Sequence, residues 1–237
     1  MAAQDRNLRA LGTPSAAADE RVAAFLRQVY GWMFVGLSVT AAVAMFVASQ
    51  PALVQAIARN NLIFFGLIIG QLALVWVVSA RAATLNPSTS AGLFLLYAGL
   101  NGVIFSMILL MYTGESIASA FITTAGMFGA LALFGSMTKR SLVGLGQFAF
   151  MGLIGIIIAS VIGLFWHNDA LQFLISAAGV IVFTGLTAYD AQRLKVMALQ
   201  VEGPQSGAFA ISGALALYLD FVNLFLMILR LIGGRRG

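Results

Sequence analysis

Two aspartates are the residues of this sequence best suited to chemistry. Asp190 stands in the run TAYDAQ and Asp220 in the run LYLDFVNLF, each within or at the edge of a long apolar stretch. The other six of the eight acidic residues fall in the amino-terminal tail or in predicted loops. An unpaired charge is costly in hydrocarbon, so an intramembrane acid is retained for a partner, a water path or a function. Asp190 and Asp220 are therefore the candidate functional residues.

A pair of carboxyl groups in a site of low dielectric constant cannot ionise twice cheaply, so the two groups tend to share a proton. Such a pair would change its protonation in a mildly acidic range and act as a pH-sensitive latch. Its oxygens also suit calcium, a hard cation that prefers oxygen ligands. Arg81, at the end of the second predicted span, is a candidate competitor for one carboxylate; alternatively it extends to the lipid headgroups. Asn223 shares a helical face with Asp220 and is a candidate hydrogen-bond partner or ion ligand.

Each aspartate also has a structural alternative. Asp190 precedes Arg193 by three residues, which is the spacing of an ion pair on a solvated helix end. The structural alternative for Asp220 is a buried acid whose carboxyl group is hydrogen-bonded to a hydroxyl or to the backbone. Counting helical rise from Leu171 places Asp190 about 29 Å along its helix, near the inner face, and Asp220 about 17 to 20 Å above that face. Contact then requires tilt, a deeper sixth helix or a bridging water.

The composition indicates an integral membrane protein. Of the 237 residues, 61% are hydrophobic and only 9% are charged, too few to cover the surface of a soluble domain. The apolar residues form runs of about 20, the length of a membrane-spanning helix and longer than the strands of a membrane barrel. The absence of cysteine excludes disulfides and thiol catalysis. Basic residues are scattered singly at span ends, so the net charge of +5 does not indicate nucleic-acid binding.

Seven apolar stretches lie between the charged residues and turn signals. Five cover about 29–49, 62–80, 90–112, 117–137 and 142–166; a sixth begins near Leu171 and a seventh near Gly207. The sequence therefore predicts an all-α polytopic membrane protein of seven transmembrane helices. The predicted divisions are a partly disordered cytoplasmic tail over 1–28, the helical domain over 29–232 and a short basic tail over 233–237.

The positive-inside rule predicts a cytoplasmic amino terminus. That orientation puts four tail arginines and five further basic residues inside, against Arg59 alone in the outer loops; the five are Arg81, Lys139, Arg140, Arg193 and Lys195. Seven spans then leave Arg230, Arg235 and Arg236 outside, against the rule. Either packing holds the last span across the membrane, or that span is re-entrant. The short loops and the lack of a signal peptide favour a bacterial inner membrane.

Three runs carry a family resemblance: YLDFVNLFLMILRLIGG at the carboxyl end, TAYDAQ about thirty positions earlier, and VYGWMFVGLSVTA over residues 29–41. The chain after about residue 20 resembles the Bax inhibitor family, the transmembrane BAX inhibitor motif proteins. The resemblance implies a central last helix, a pH-sensitive calcium leak, Asp190 and Asp220 as its proton-responsive gate, and Arg81 as the basic residue that ends the second helix. An acidic residue that some members carry in that helix is absent here, where Gln71 stands nearby.

Three functions follow as hypotheses. The first is a pH-regulated cation leak, with calcium as the permeant ion, no tightly bound cofactor, and the bilayer and protons as partners. The second is an interaction protein that modulates other membrane proteins without conducting ions. The third is an intramembrane aspartyl protease, which needs a GxGD motif where this chain has LYLD. The first is favoured, so the chain is expected not to be an enzyme.

Overall fold

The computed structural model describes residues 16–166, 168–201, 203 and 205–234. These residues form helices and no strands, and seven of the helices are long and apolar enough to cross a membrane. The predicted all-α polytopic architecture is thereby confirmed. The helices in order are α1 (Ala16–Ala48), α2 (Pro51–Arg59), α3 (Asn61–Ala80), α4 (Pro87–Met111), α5 (Gly114–Met137), α6 (Val143–Phe165), α7 (Asp169–Gln200) and α8 (Ser206–Ile232).

Helix boundaries follow the local sequence. The side chains of Asn60, Asn86, Thr113 and Asn168 accept hydrogen bonds from the first free backbone N–H groups of α3, α4, α5 and α7. Proline opens α2 and α4, where its fixed φ suits the first helical turn. The chain turns between α7 and α8 at Gly203, whose φ of 87° favours glycine.

The first helix differs from its predicted start. It begins at Ala16, inside the predicted 1–28 tail, because apolar residues continue at helical spacing before Val29. Phe25 and Val29 are buried in the core, and Val22 and Leu26 pack against it. The helix therefore extends beyond the stretch needed to cross the bilayer. Residues 1–15 and 235–237, which complete the two predicted tails, lie outside the described residues.

The last helix, α8, lies at the centre of the bundle. In its most apolar stretch 61% of the residues are buried, against 44% for α7 and 6% for α3. It packs against α1, α4, α5 and α7. Residues of α8 also belong to both buried hydrophobic clusters, one around Tyr218 and the other around Leu224. Any movement of this helix would therefore disturb most of the core.

The carboxyl end of α8 is fixed at the connection between α4 and α5. The Thr113 N–H donates to the Gly234 carbonyl at 3.2 Å, and the Gly234 N–H donates to Ser116 Oγ at 2.9 Å. The last span thus crosses the whole bundle, which rules out the re-entrant alternative. The end of the bundle at which α1 begins is the amino-terminal end. The opposite end, at which α8 finishes, is the carboxyl-terminal end.

Candidate functional site

The candidate site lies in the seam between the antiparallel helices α7 and α8. Glycines allow close approach there: Gly213 meets the Leu194 side chain, and a Cβ on Gly179 would lie 2.6 Å from Met227 Cγ and Sδ. Gly213 and Met227 are each seven residues from Asp220, two helical turns in either direction, so the three share one face of α8. Asp220 therefore points into the seam.

The same contacts fix the relative depth of the two aspartates. With Leu194 opposite Gly213 and Gly179 opposite Met227, the residue level with Asp220 is near Thr187. Asp190 follows Thr187 by three residues on α7. It therefore lies about 4.5 Å closer than Asp220 to the amino-terminal end of the bundle. The expectation of a large difference in depth is wrong because α7 continues to Gln200, well past Asp190, and so places Asp190 deeper than its predicted helix did.

The environments of the two carboxyl groups differ. Asp220 is only 5% exposed, and its Oδ2 is buried without a hydrogen-bond partner among the described residues. Asp190 is 16% exposed and its Oδ1 lies 3.9 Å from Arg193 Nη1. The two carboxyl groups interact electrostatically, and no hydrogen bond of the described residues joins them. Asp190 thus has the predicted i,i+3 partner, at long range, whereas the buried Oδ2 of Asp220 has no hydroxyl or backbone donor.

The other two predicted site residues are not bonded to the aspartates. Arg81 caps the end of α3 with an exposed side chain, and among the described residues it forms no ion pair with either acid. Asn223 donates its Nδ2 to the Leu219 carbonyl at 2.8 Å, one turn back on α8, and makes no hydrogen bond with Asp220. Neither residue completes the site.

Two cavities approach Asp220 from opposite ends of the seam. The first, of about 110 Å³, lies beside Asp190 towards the amino-terminal end, and Ser79 and Ser212 also line it. The second, of about 610 Å³, lies at the carboxyl-terminal end between α4, α7 and α8. On α8 the cavities end at Ala216 and Leu226, about 15 Å apart along the helix, with Asp220 between them.

The stretch between the two cavities is closed. On α7 it contains Phe183 and Thr187, both buried, and the Thr187 hydroxyl donates to the Phe183 carbonyl at 2.7 Å. On α8 it contains Asp220, and just beyond it Met227 packs onto Gly179. A hydrated ion cannot pass this layer without separating the helices. A packed layer that contains the buried Asp220 therefore separates the two cavities.

A second polar group, which the sequence interpretation missed, lies behind Asp220 on α8. The Tyr218 hydroxyl accepts from Asn101 Nδ2 at 2.7 Å and lies 2.6 Å from Thr40 Oγ1. Either hydroxyl can donate in this bond, but when Thr40 gives its single proton to the Ala98 carbonyl at 2.9 Å, Tyr218 is the donor to Thr40. This set, the tyrosine node, joins α8 to α1 and α4. The available signal was the combination of Tyr, Asn and Thr in otherwise apolar spans.

Removing the Tyr218 hydroxyl is expected to lower stability. In Tyr218→Phe the buried Asn101 amide loses its acceptor, which costs about 1 to 3 kcal/mol. The thermal unfolding temperature of the detergent-solubilised protein should fall. Tyr189→Phe is the control, because the Tyr189 hydroxyl makes no hydrogen bond with the described residues. This variant should leave the unfolding temperature nearly unchanged. Equal shifts in the two variants would contradict the role given to the tyrosine node.

The described residues hold no group of three or more His, Cys, Asp or Glu side chains that could bind a metal ion. Calcium takes six to eight oxygen ligands in its stable protein sites. Two carboxyl groups with nearby hydroxyls and water would bind it only weakly. A stable calcium site would need more ligands than these.

Comparison with known proteins places the chain in a family. A family model described as "Inhibitor of apoptosis-promoting Bax1" matches residues 22–237. The chain is 48% identical over 215 residues to the inner membrane protein YbhL of Escherichia coli K12, covering 90% of this chain and 92% of that protein. It is 40% identical over 215 residues to an uncharacterized protein of Borreliella burgdorferi, covering 90% and 93% of the two chains. The chain therefore belongs to the Bax inhibitor family.

Proposed function

We propose that this protein is a pH-sensitive leak for cations, with calcium as the main permeant ion, and that the ions pass along the seam between α7 and α8. The observation that carries the proposal is the buried carboxyl group of Asp220. It lies on the central helix between two cavities, and its Oδ2 has no hydrogen-bond partner in the described part of the chain. A buried polar group without a partner is costly, so its retention favours a functional role.

Protonation of the carboxyl groups would set the state of the seam. When both acids are ionised, their mutual repulsion and the cost of burying charge act against the closed packing of α7 on α8. When a proton neutralises Asp220, that destabilisation disappears. Arg81 contributes in this scheme only if its exposed side chain turns inward to pair with an acid. In this proposal, the packed layer between the two cavities is the closed state of the leak.

The proposed setting is a bacterial inner membrane with a cytoplasmic amino terminus. The relative YbhL is described as an inner membrane protein. The excess of Lys and Arg in the loops at the amino-terminal end supports the orientation. We assign transport rather than catalysis, because the run Leu217 to Asp220 lies inside a continuous helix and lacks the glycines that give an intramembrane aspartyl protease its local freedom.

Flux measurements on the purified protein test the proposal. Wild-type protein in liposomes loaded with a calcium-sensitive dye should admit calcium at a rate that depends on pH between about 5 and 8, while protein-free liposomes should not. Asp190→Asn should shift this dependence, because it removes the charge that acts on Asp220. Absence of flux above that of protein-free liposomes at every pH would refute the leak.

One observation favours the interaction protein as the second candidate. Gly66 and Gly70 on α3 share a face, and a Cβ on either would meet nothing within 4 Å. α3 is also the least buried of the described spanning helices, so this small-residue face is open to a partner helix. This candidate predicts no flux in liposomes and crosslinks at position 66 or 70 to another membrane protein.

A further inference from the structure

The large cavity at the carboxyl-terminal end contains two opposite charges that do not pair. Asp169 begins α7 and Arg230 lies in the last turn of α8, and both side chains line the cavity of about 610 Å³. No ion pair of 4.0 Å or less joins them among the contacts of the described residues. Each charge is therefore open to an external partner of opposite sign.

The remaining lining of the cavity is largely apolar. Ile104, Ile108 and Leu226 form its inner wall, while Met111 and Phe173 line its rim with exposures of 51% and 61%. Exposed apolar side chains at the rim are compatible with contact to lipid tails. The volume falls within the range of ordinary small-molecule sites. One side of the cavity thus suits hydrocarbon, and the other suits charge.

Both charges lie at the ends of spanning helices, where such helices meet the headgroup region of a bilayer. Asp169 is the first residue of α7, and α8 ends at Ile232, two residues after Arg230. The free N–H groups at the start of α7 are occupied by the Asn168 side chain, which accepts from Ala170 and Leu171. The helix start is therefore not itself an anion site, and the Arg230 guanidinium is the anion-binding group of the cavity.

We infer that this cavity binds one zwitterionic phospholipid with a primary ammonium headgroup, that is, a phosphatidylethanolamine. Arg230 donates to the phosphate, Asp169 accepts from the ammonium, and one acyl chain lies against the wall formed by Ile104, Ile108 and Leu226. Charge complementarity selects this ligand class, because an anionic lipid would use Arg230 and leave Asp169 without a partner. A quaternary ammonium has no N–H to donate to Asp169, which disfavours phosphatidylcholine. The inference does not depend on the proposed leak, since binding requires no flux.

Native mass spectrometry of the detergent-purified protein with short-chain phospholipids tests this site. Wild type should bind phosphatidylethanolamine more tightly than phosphatidylcholine or phosphatidylglycerol. Arg230→Gln should weaken binding of all three lipids by about tenfold, the effect of losing a charge-assisted hydrogen bond. Asp169→Asn should abolish the preference for phosphatidylethanolamine over phosphatidylcholine, a ratio that does not depend on how much protein is folded.

Two charge changes at the same end of the bundle, outside the cavity, are the matched controls. Arg59→Gln and Glu115→Gln alter exposed residues and should retain wild-type affinity and preference. Equal binding of phosphatidylethanolamine and phosphatidylcholine by wild type would overturn the inference, as would an unchanged preference in Asp169→Asn. Displacement of the lipid by inorganic phosphate at similar concentration would show a phosphate site only and would also overturn it.

Discussion

Asp220→Asn should hold the calcium flux of the reconstituted protein near the level that wild type shows at low pH, at every pH tested. The amide is neutral and similar in shape to the protonated acid, so the variant cannot acquire the charge that distinguishes the two states. A single titrating group changes the ratio of two states by at most about tenfold per pH unit. If Asp220 is the titrating group, Asp220→Asn should therefore remove a pH-dependent change in calcium flux of up to about tenfold per pH unit.

The control for this result is Glu115→Gln, which removes an exposed carboxylate from the first turn of α5 and should leave the pH profile unchanged. A wild-type profile in Asp220→Asn would refute the gating role of Asp220 even if the protein conducts calcium. A profile that persists in Asp220→Asn and disappears in Asp190→Asn would assign the titration to Asp190 instead.

The architecture could be predicted from the sequence because the bilayer imposes simple requirements. A span needs about 20 apolar residues, and charged or turn-forming residues must lie between spans. The turn-forming residues Asn86 and Pro87 precede the predicted third span, and in the structure asparagine caps α4 and proline begins it. Hydrophobicity alone, however, could not show that α1 begins at Ala16, because residues 16–28 are held by the packing of Phe25 and Val29 on the core.

The candidate site was predicted only in part, for reasons of geometry. Asp220 could be identified because a carboxylate is conspicuous in an apolar helix. The level of Asp190 depended on how far α7 extends beyond the membrane, which no local pattern specifies. Tyr218 lies in the same run as Asp220, but its partners Thr40 and Asn101 come from α1 and α4. Such long-range pairs become visible only when the helices are packed.

The position of α7 relative to α5 depends on a close contact between Gly135 on α5 and Ala188 on α7. A Cβ there would overlap the backbone carbonyl group of Ala188, which is next to Thr187 on the wall of the seam. Gly135→Ala should therefore destabilise the protein by about 3 kcal/mol or more, because a backbone group cannot rotate away as a side chain would. The variant should accumulate poorly in membranes and unfold at a clearly lower temperature in detergent.

Gly129→Ala is the matched control on the same helix. A Cβ at Gly129 would meet nothing within 4 Å, so this substitution should stabilise α5 by about 0.5 to 1 kcal/mol through the better helix propensity of alanine. The two changes are chemically identical and should have opposite signs, which separates packing from propensity. Equal unfolding temperatures for Gly135→Ala and Gly129→Ala would show that α5 can move away from α7, and the closed seam would then be less rigid than its contacts indicate.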